Sequence, residues 1–432
     1  MTTSASAHFR SLAALAALAV AGVAGRTAHA ATQQELEAKL DALSTQVGEL
    51  RSQLAELNAE RRRSAPPTAN TAASITGVEA AEAENKVAWF GYGELNYSRP
   101  EDDGSATTAD VARFVLGASY RFDDKTRFVS ELEVEHAVSS AADPGEVEVE
   151  QAYIERRFSD QMFGSIGLFL MPVGLLNENH EPTRYYGVFR NLVETEIIPT
   201  TWREGGVELQ GNADGGLCWN VGISTGFNLS KWDATSAESL EEPLGSIHQE
   251  LALASAGDLA TFAAVNYTGV PGLRLGASLF TGDAAQGQPG FDDNRVTLWE
   301  GHARWNPGSW DLSALYSRVH IANTAPVNLT LVGNPALIPE ESFGWYVEAA
   351  YRAPLRNQMT IAPFARYEVL NTASRYAAIG AGLTPDPLDD TDVFTTGINY
   401  YLARGVVLKF DYLQFLHDDR SARFDLGVGY QF

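Results

Sequence analysis

The sequence predicts an all-β protein: a transmembrane antiparallel β-barrel of about sixteen strands, preceded by an N-terminal α-helical coiled coil. Three observations carry this. Segments of alternating apolar and polar residues recur from Val87 to the end. The connections between them alternate between short and long. The chain closes on RFDLGVGYQF (423–432), in which Phe424, Leu426, Val428, Tyr430 and Phe432 share one face of an extended segment, opposite Arg423, Asp425, Gly427, Gly429 and Gln431. A chain end fixed as a half-apolar strand needs a sheet to hold it.

Taken in order, the first element is a leader. Arg10 precedes the apolar run SLAALAALAVAGVA (11–24), and Ala28-His29-Ala30 forms a small-x-small cleavage site, so residues 1–30 read as a secretory signal peptide with the mature chain starting at Ala31. The run is shorter than the ~20 residues a spanning helix needs. In 31–60, Leu36, Leu40, Leu43, Val47, Leu50, Leu54 and Leu57 recur at spacings of four and three among charged residues, a heptad pattern that predicts a self-associating helix. Residues 61–86 begin with RRRSAPPTANTAAS and read as a linker.

The predicted strands are 87–98, 111–122, 126–137, 146–158, 162–174, 203–211, 217–228, 261–270, 273–282, 295–305, 310–321, 341–353, 358–370, 391–403, 405–416 and 421–432. Tight connections rich in Gly, Pro, Asn and Asp follow the even strands: 123–125, 159–161, 212–216, 270–272, 306–309, 353–357 and 404–405. Long connections follow most odd ones: 99–110, 138–145, 175–202, 229–260, 283–294, 322–340 and 371–390. Short periplasmic turns alternating with long outer loops are the anatomy of an outer-membrane barrel, and they place both chain ends on the periplasmic side. The last strand would pair with the first and remove the edge that lipid cannot satisfy.

The charge balance narrows the partners. The chain carries 31 basic and 55 acidic residues; losing Arg10 and Arg26 with the leader leaves 29 basic, a net charge of −26. Nucleic acid is excluded as a default partner. The single cysteine, Cys218, rules out a disulfide within the chain and reads as a buried, inert thiol. No Gly-rich phosphate loop, zinc-ligand spacing or nucleophile elbow occurs, so no catalytic residue, cofactor or metal is expected. Ser317 and His320 fall on opposite faces of one strand, which argues against a barrel hydrolase. Acidic loop clusters at 101–103, 292–293 and 389–392 read as solvated surface, or as sites for cations bridging to lipopolysaccharide.

The pleat assigns the inner wall. Phe128, Leu132 and Val134 oppose Glu131, Glu133 and Glu135; Trp299, Ala303 and Trp305 oppose Glu300, His302 and Arg304. By the same alternation Arg113, Arg121, Arg366 and Lys409 face inward, giving a lumen with charges of both signs. A barrel of this size leaves an aqueous channel unless something narrows it. The stretch GLLNENHEPTRYYGVFRNLVETEIIPTTW (174–202) is too long for a simple connection and is predicted to fold inward as a constriction. Its constriction candidates are Glu178, His180, Glu181, Arg184, Arg190, Glu194 and Glu196.

With these residues in view, GLFLMPVGLLNENHEPTRYYGVFRNLVETEIIPTTWREGG (167–206), LWEGHARWNPGSWDLSALY (298–316), GWYVEAAYR (344–352) and APFARYE (362–368) resemble the outer-membrane porin family that includes the phosphate-selective porins O and P. The resemblance spans 87–432 and implies a homotrimeric channel in outer-membrane lipid for small hydrophilic solutes or ions, anions such as phosphate among them. It also matches the terminal Phe to the signature by which such barrels reach their assembly machinery. The arginine ladder and lysine cluster tied to phosphate in that family do not recur here. A second reading is a non-conducting barrel that tethers the envelope, with 31–60 contacting the cell wall.

Overall fold

The computed structural model describes residues 86–417 and 420–432. The leader, the heptad segment and the linker up to residue 85 lie outside them. Among the described residues, sixteen long strands and the two-residue stretch Ala353–Pro354 form one closed antiparallel sheet. We number the long strands β1 (Val87–Pro100), β2 (Thr108–Arg121), β3 (Thr126–Glu135), β4 (Val147–Ser159), β5 (Met162–Leu170), β6 (Arg203–Ala213), β7 (Leu217–Ser224) and β8 (Ala260–Tyr267). The second half comprises β9 (Leu273–Asp283), β10 (Arg295–Trp305), β11 (Trp310–Ile321), β12 (Glu341–Tyr351), β13 (Thr360–Arg375), β14 (Thr391–Ala403), β15 (Val406–Phe415) and β16 (Arg423–Gln431).

Each strand pairs with its successor in sequence, and β16 closes on β1 from Tyr92 opposite Gln431 to Pro100 opposite Arg423. Phe432 completes the seam by exchanging backbone bonds of 2.9 and 3.1 Å with Gly91. The join is therefore paired along β1 from Gly91 to Pro100. The alternation of side chains then sorts itself by solvent: Leu132, Ile166, Val207, Leu279 and Leu426 stand exposed on the outside, while Glu133, Glu300, Glu368 and Asp425 are buried within. Trp89, Phe122, Phe158, Trp305, Trp310 and Tyr351 project outward at the short-turn end, as an interfacial aromatic girdle does.

Two predicted strands end early, for one reason. Residues 171–174 leave the wall after Leu170, and 225–228 leave it after Ser224, because Met171, Val173 and Phe227 are wanted inside. They join Trp202, which stacks on Phe227 at 5.1 Å and meets Phe280 edge-on at 4.9 Å. This apolar cluster takes in Val296, Leu298, Val319 and Ile321 from the inner wall, and Val327 from a short helix, Thr324–Leu331, in the sixth outer loop. The lumen is thus not charged throughout: the outer half of one side is filled by packed loops. Cys218 is only partly buried, on the inward-facing parity of β7, contrary to expectation.

A glycine fixes the wall beneath the third outer loop. Gly167 has φ +135°, and a Cβ there would sit 2.4 Å from the Ala152 carbonyl oxygen and 2.7 Å from the Tyr153 Cα. Both obstacles are backbone, so no rotamer change relieves them. Gly167→Ala is expected to abolish folding to the heat-modifiable barrel, read as loss of the fast-migrating band in unheated gel samples.

Candidate functional site

The third outer loop, 171–202, runs inside the barrel and is seated by wall carboxylates that accept its backbone N–H groups. The Val188 N–H donates to Asp411 at 2.5 Å and the Leu192 N–H to Glu368 at 2.7 Å. Tyr185 donates to Glu94 at 2.7 Å and Tyr186 to Asp311 at 2.9 Å. Asn399 accepts from the Gly187 N–H and donates to the Tyr185 carbonyl. A loop taken out of water must have its backbone groups satisfied, and here Glu368 on β13, Asn399 on β14 and Asp411 on β15 partner four of them, while Glu94 on β1 and Asp311 on β11 hold its tyrosine hydroxyls.

Within the loop, Glu194 is the fastener. It is buried and accepts from the N–H groups of Leu175 and Leu176 at 2.7 and 2.8 Å, from Tyr346 at 2.8 Å and from Asn191 at 3.2 Å. Burial pushes its carboxyl above the ordinary range against the pull of these donors. Glu194 therefore holds the loop's fold and does not line a passage. His180, 3% exposed, is likewise withdrawn into the wall against Tyr92 and Glu150. Both differ from their expected place at the constriction, because the loop spends polar side chains on its own backbone and on the wall.

Glu178, Glu181, Arg184, Arg190 and Glu196 remain partly exposed. Glu181 and Arg184 lie 3.8 Å apart as a loose pair. Glu178 is within electrostatic reach of Glu208 and Arg274 on the wall. Arg190 donates to the Thr201 hydroxyl at 3.0 Å. A narrow space beside the loop is lined by Leu175, Arg184, Tyr185, Arg304, Tyr346 and Arg366.

The predicted wall residues face inward, and most are paired. Arg113 bonds Glu94 at 2.8 Å and the His180 carbonyl at 2.6 Å. Arg304 grips Asp311 through two bonds of 2.6 and 2.8 Å. Arg366 lies 2.7 Å from Glu368 and 3.1 Å from Glu348, and His302 lies 2.9 Å from Glu300. Lys409 sits 3.5 Å over the Tyr185 ring. Arg121 and Glu135 are partly exposed near opposite ends of the barrel, while Glu131 and Glu133 are buried.

One irregularity escaped the period-two reading. In β4, Gln151 pairs with Glu131 and Val149 with Leu132, so Glu150 is an extra, bulged residue. The bulge shifts the inward parity, and Tyr153 and Glu155 join the inner face while Ile154 faces out. An odd spacing of apolar residues, Val149 to Ile154, is its trace in the sequence.

Electrostatics at the outer mouth give a pH test. Burial pushes the Glu196 carboxyl up to about 7, with Arg420 opposing and Glu242, Glu368 and Glu241 reinforcing. A raised acid is neutral below that value and gains its negative charge as pH rises through it. Cation preference, read from reversal potentials, is expected to strengthen between about pH 6 and pH 8. In Glu196→Gln the change over that range should be smaller.

The closed sheet, the outward apolar belt and the inward third loop together make a sixteen-stranded barrel with one outer loop folded inside. No family model matches the sequence. A chain from Aquifex aeolicus (strain VF5), described as an uncharacterized protein, is 28% identical over 338 residues, 77% of this chain and 76% of that one. Among solved structures, Salmonella typhi OmpF, determined in complex with daunomycin, superposes with a TM-score of 0.56 at 15% identity, covering 81% of this chain and 98% of its own. An anion-selective porin from Comamonas acidovorans superposes at 0.51 with 11% identity, covering 80% and 99%. At these identities the likeness establishes the fold.

Proposed function

We propose that the protein is an outer-membrane porin, a water-filled channel for passive diffusion of small hydrophilic solutes or ions. The observation that supports this best is the third loop. It enters the barrel, docks on the wall through its backbone, and leaves Glu178, Glu181 and Arg184 partly exposed. A merely capping loop would have no use for inward carboxylates shaped to hold it. The opposed charges of the inner wall favour weak selectivity, and the pairing of Arg113, Arg203, Arg304 and Arg366 with acids argues against a phosphate-specific ladder. We extend the reading to a homotrimer in lipid and lipopolysaccharide, secreted through its leader, with both chain ends periplasmic.

Liposome swelling tests it: folded protein should admit small sugars and exclude larger oligosaccharides in a size-graded series. The apolar filling of the outer lumen supports a second reading, a non-conducting barrel that tethers the envelope through 31–60. Under that reading no sugar enters, and peptidoglycan pull-down depends on residues 31–60.

A further inference from the structure

The point where the third loop meets β3 and β4 contains more than packing. Glu131, Glu150 and His180 bring one ligand atom each to within 4.8 Å of one another, and all three are buried, at 8%, 0% and 3% exposure. The His180 Nε2 lies 2.7 Å from Glu150 Oε1 and 2.6 Å from the Tyr92 hydroxyl. Its other nitrogen, Nδ1, is 2.7 Å from the Asn177 carbonyl oxygen. A carbonyl can only accept, so Nδ1 carries the hydrogen and Nε2 is turned toward the carboxylates. A ring whose Nδ1 is fixed by a backbone carbonyl is oriented as a metal-ligating histidine is, and its Nε2 lies against Glu150, which also accepts from the Tyr92 hydroxyl at 2.9 Å.

Charge and valence point the same way. Glu131 Oε2 is buried with no hydrogen-bond partner. Glu133 is also buried nearby, and Glu181 is within electrostatic reach of Glu131. The adjacent cation, Arg113, spends two of its nitrogens, Nε and Nη2, on Glu94 and the His180 carbonyl. A buried carboxylate oxygen left without a partner is costly, and a divalent ion between the two carboxylates and the imidazole would pair with it and balance both charges.

We infer that Glu131, Glu150 and His180 form a binding site for one divalent transition-metal ion of the zinc class, with the Tyr92 oxygen placed to complete a four-donor set. One nitrogen and several oxygens suit zinc and its neighbours better than calcium or magnesium, which prefer all-oxygen shells. The ion staples the third loop to the barrel wall, whether or not the barrel conducts. No local motif announced it, because the three ligands come from two strands and a loop that only the barrel brings together.

The test is zinc retention. The mature protein is refolded in detergent with zinc ions, desalted, and its metal content measured by atomic emission; a parallel cobalt-loaded sample is read by visible absorption. Wild type is expected to hold about one zinc ion per chain and to show the d–d bands of a low-coordinate cobalt site. Glu131→Gln and His180→Gln, each shown folded by its unheated gel mobility, are expected to retain less than about a tenth of that. Glu131→Gln keeps the shape of a side chain whose Oε2 has no partner, so it separates lost ligation from lost folding. Asp292→Asn with Asp293→Asn in the exposed fifth loop should leave retention unchanged. Wild type retaining no zinc, or both site variants retaining as much as wild type, overturns the assignment.

Discussion

Glu194→Ala is expected to raise the single-channel conductance at least twofold and to make the current noisy. The carboxylate holds the N–H groups of Leu175 and Leu176 and the Tyr346 hydroxyl, tying both limbs of the third loop to each other and to β12. Each buried donor left without an acceptor costs roughly 1–3 kcal/mol, and removing a carboxyl that burial already disfavours returns part of it. A net loss of on the order of 3 kcal/mol is enough to release the loop from its seat while the strand ladder stays closed. Glu194→Gln, which keeps one acceptor oxygen, should fall between the two. Protease cleavage within 171–202 should accelerate in the same order. Unchanged conductance together with unchanged cleavage would mean that Glu194 is not the fastener.

The second large effect concerns selectivity. Arg184→Glu replaces a partly exposed cation, 3.8 Å from Glu181, by a second anion on the narrow space beside the third loop. Charges on the wall of a confined passage act at short range and little screened, so the cation-to-anion permeability ratio is expected to rise by about threefold at low salt and much less at 1 M. Arg184→Gln should give about half the shift in reversal potential. The same reversal made at Arg318, on the outer surface and paired with Glu341, should leave the ratio unmoved. An equal response at both positions would place the selective region elsewhere.

These expectations rest on features of unequal legibility. The strand ladder was readable because side-chain period two and turn chemistry are local: the wall assignments of Arg113, Glu133, Glu300, Arg366 and Lys409 needed only alternation. The inward course of 174–202 was readable from length and composition, but the roles of its residues were not. Glu194 and His180 look like constriction charges in sequence, and only the closed barrel turns one toward the loop's backbone and the other toward Glu150. The apolar filling went unread because Val296 and Leu298 alternate just as lumen-facing polar residues would, so their pattern fixes a face and not what covers it. The bulge at Glu150 cost one step of register and hid the inward parity of Tyr153 and Glu155.

The measurement that bears most directly on the channel reading is planar-bilayer recording of the purified, folded mature protein, with a salt gradient to obtain the reversal potential. Stepwise, ohmic openings in groups of three, with a reversal potential moved toward cations by Arg184→Glu, are the predicted result. Electrically silent bilayers, with protein shown by gel mobility and density to be folded and inserted, would contradict it and leave the tethering barrel as the account of this chain.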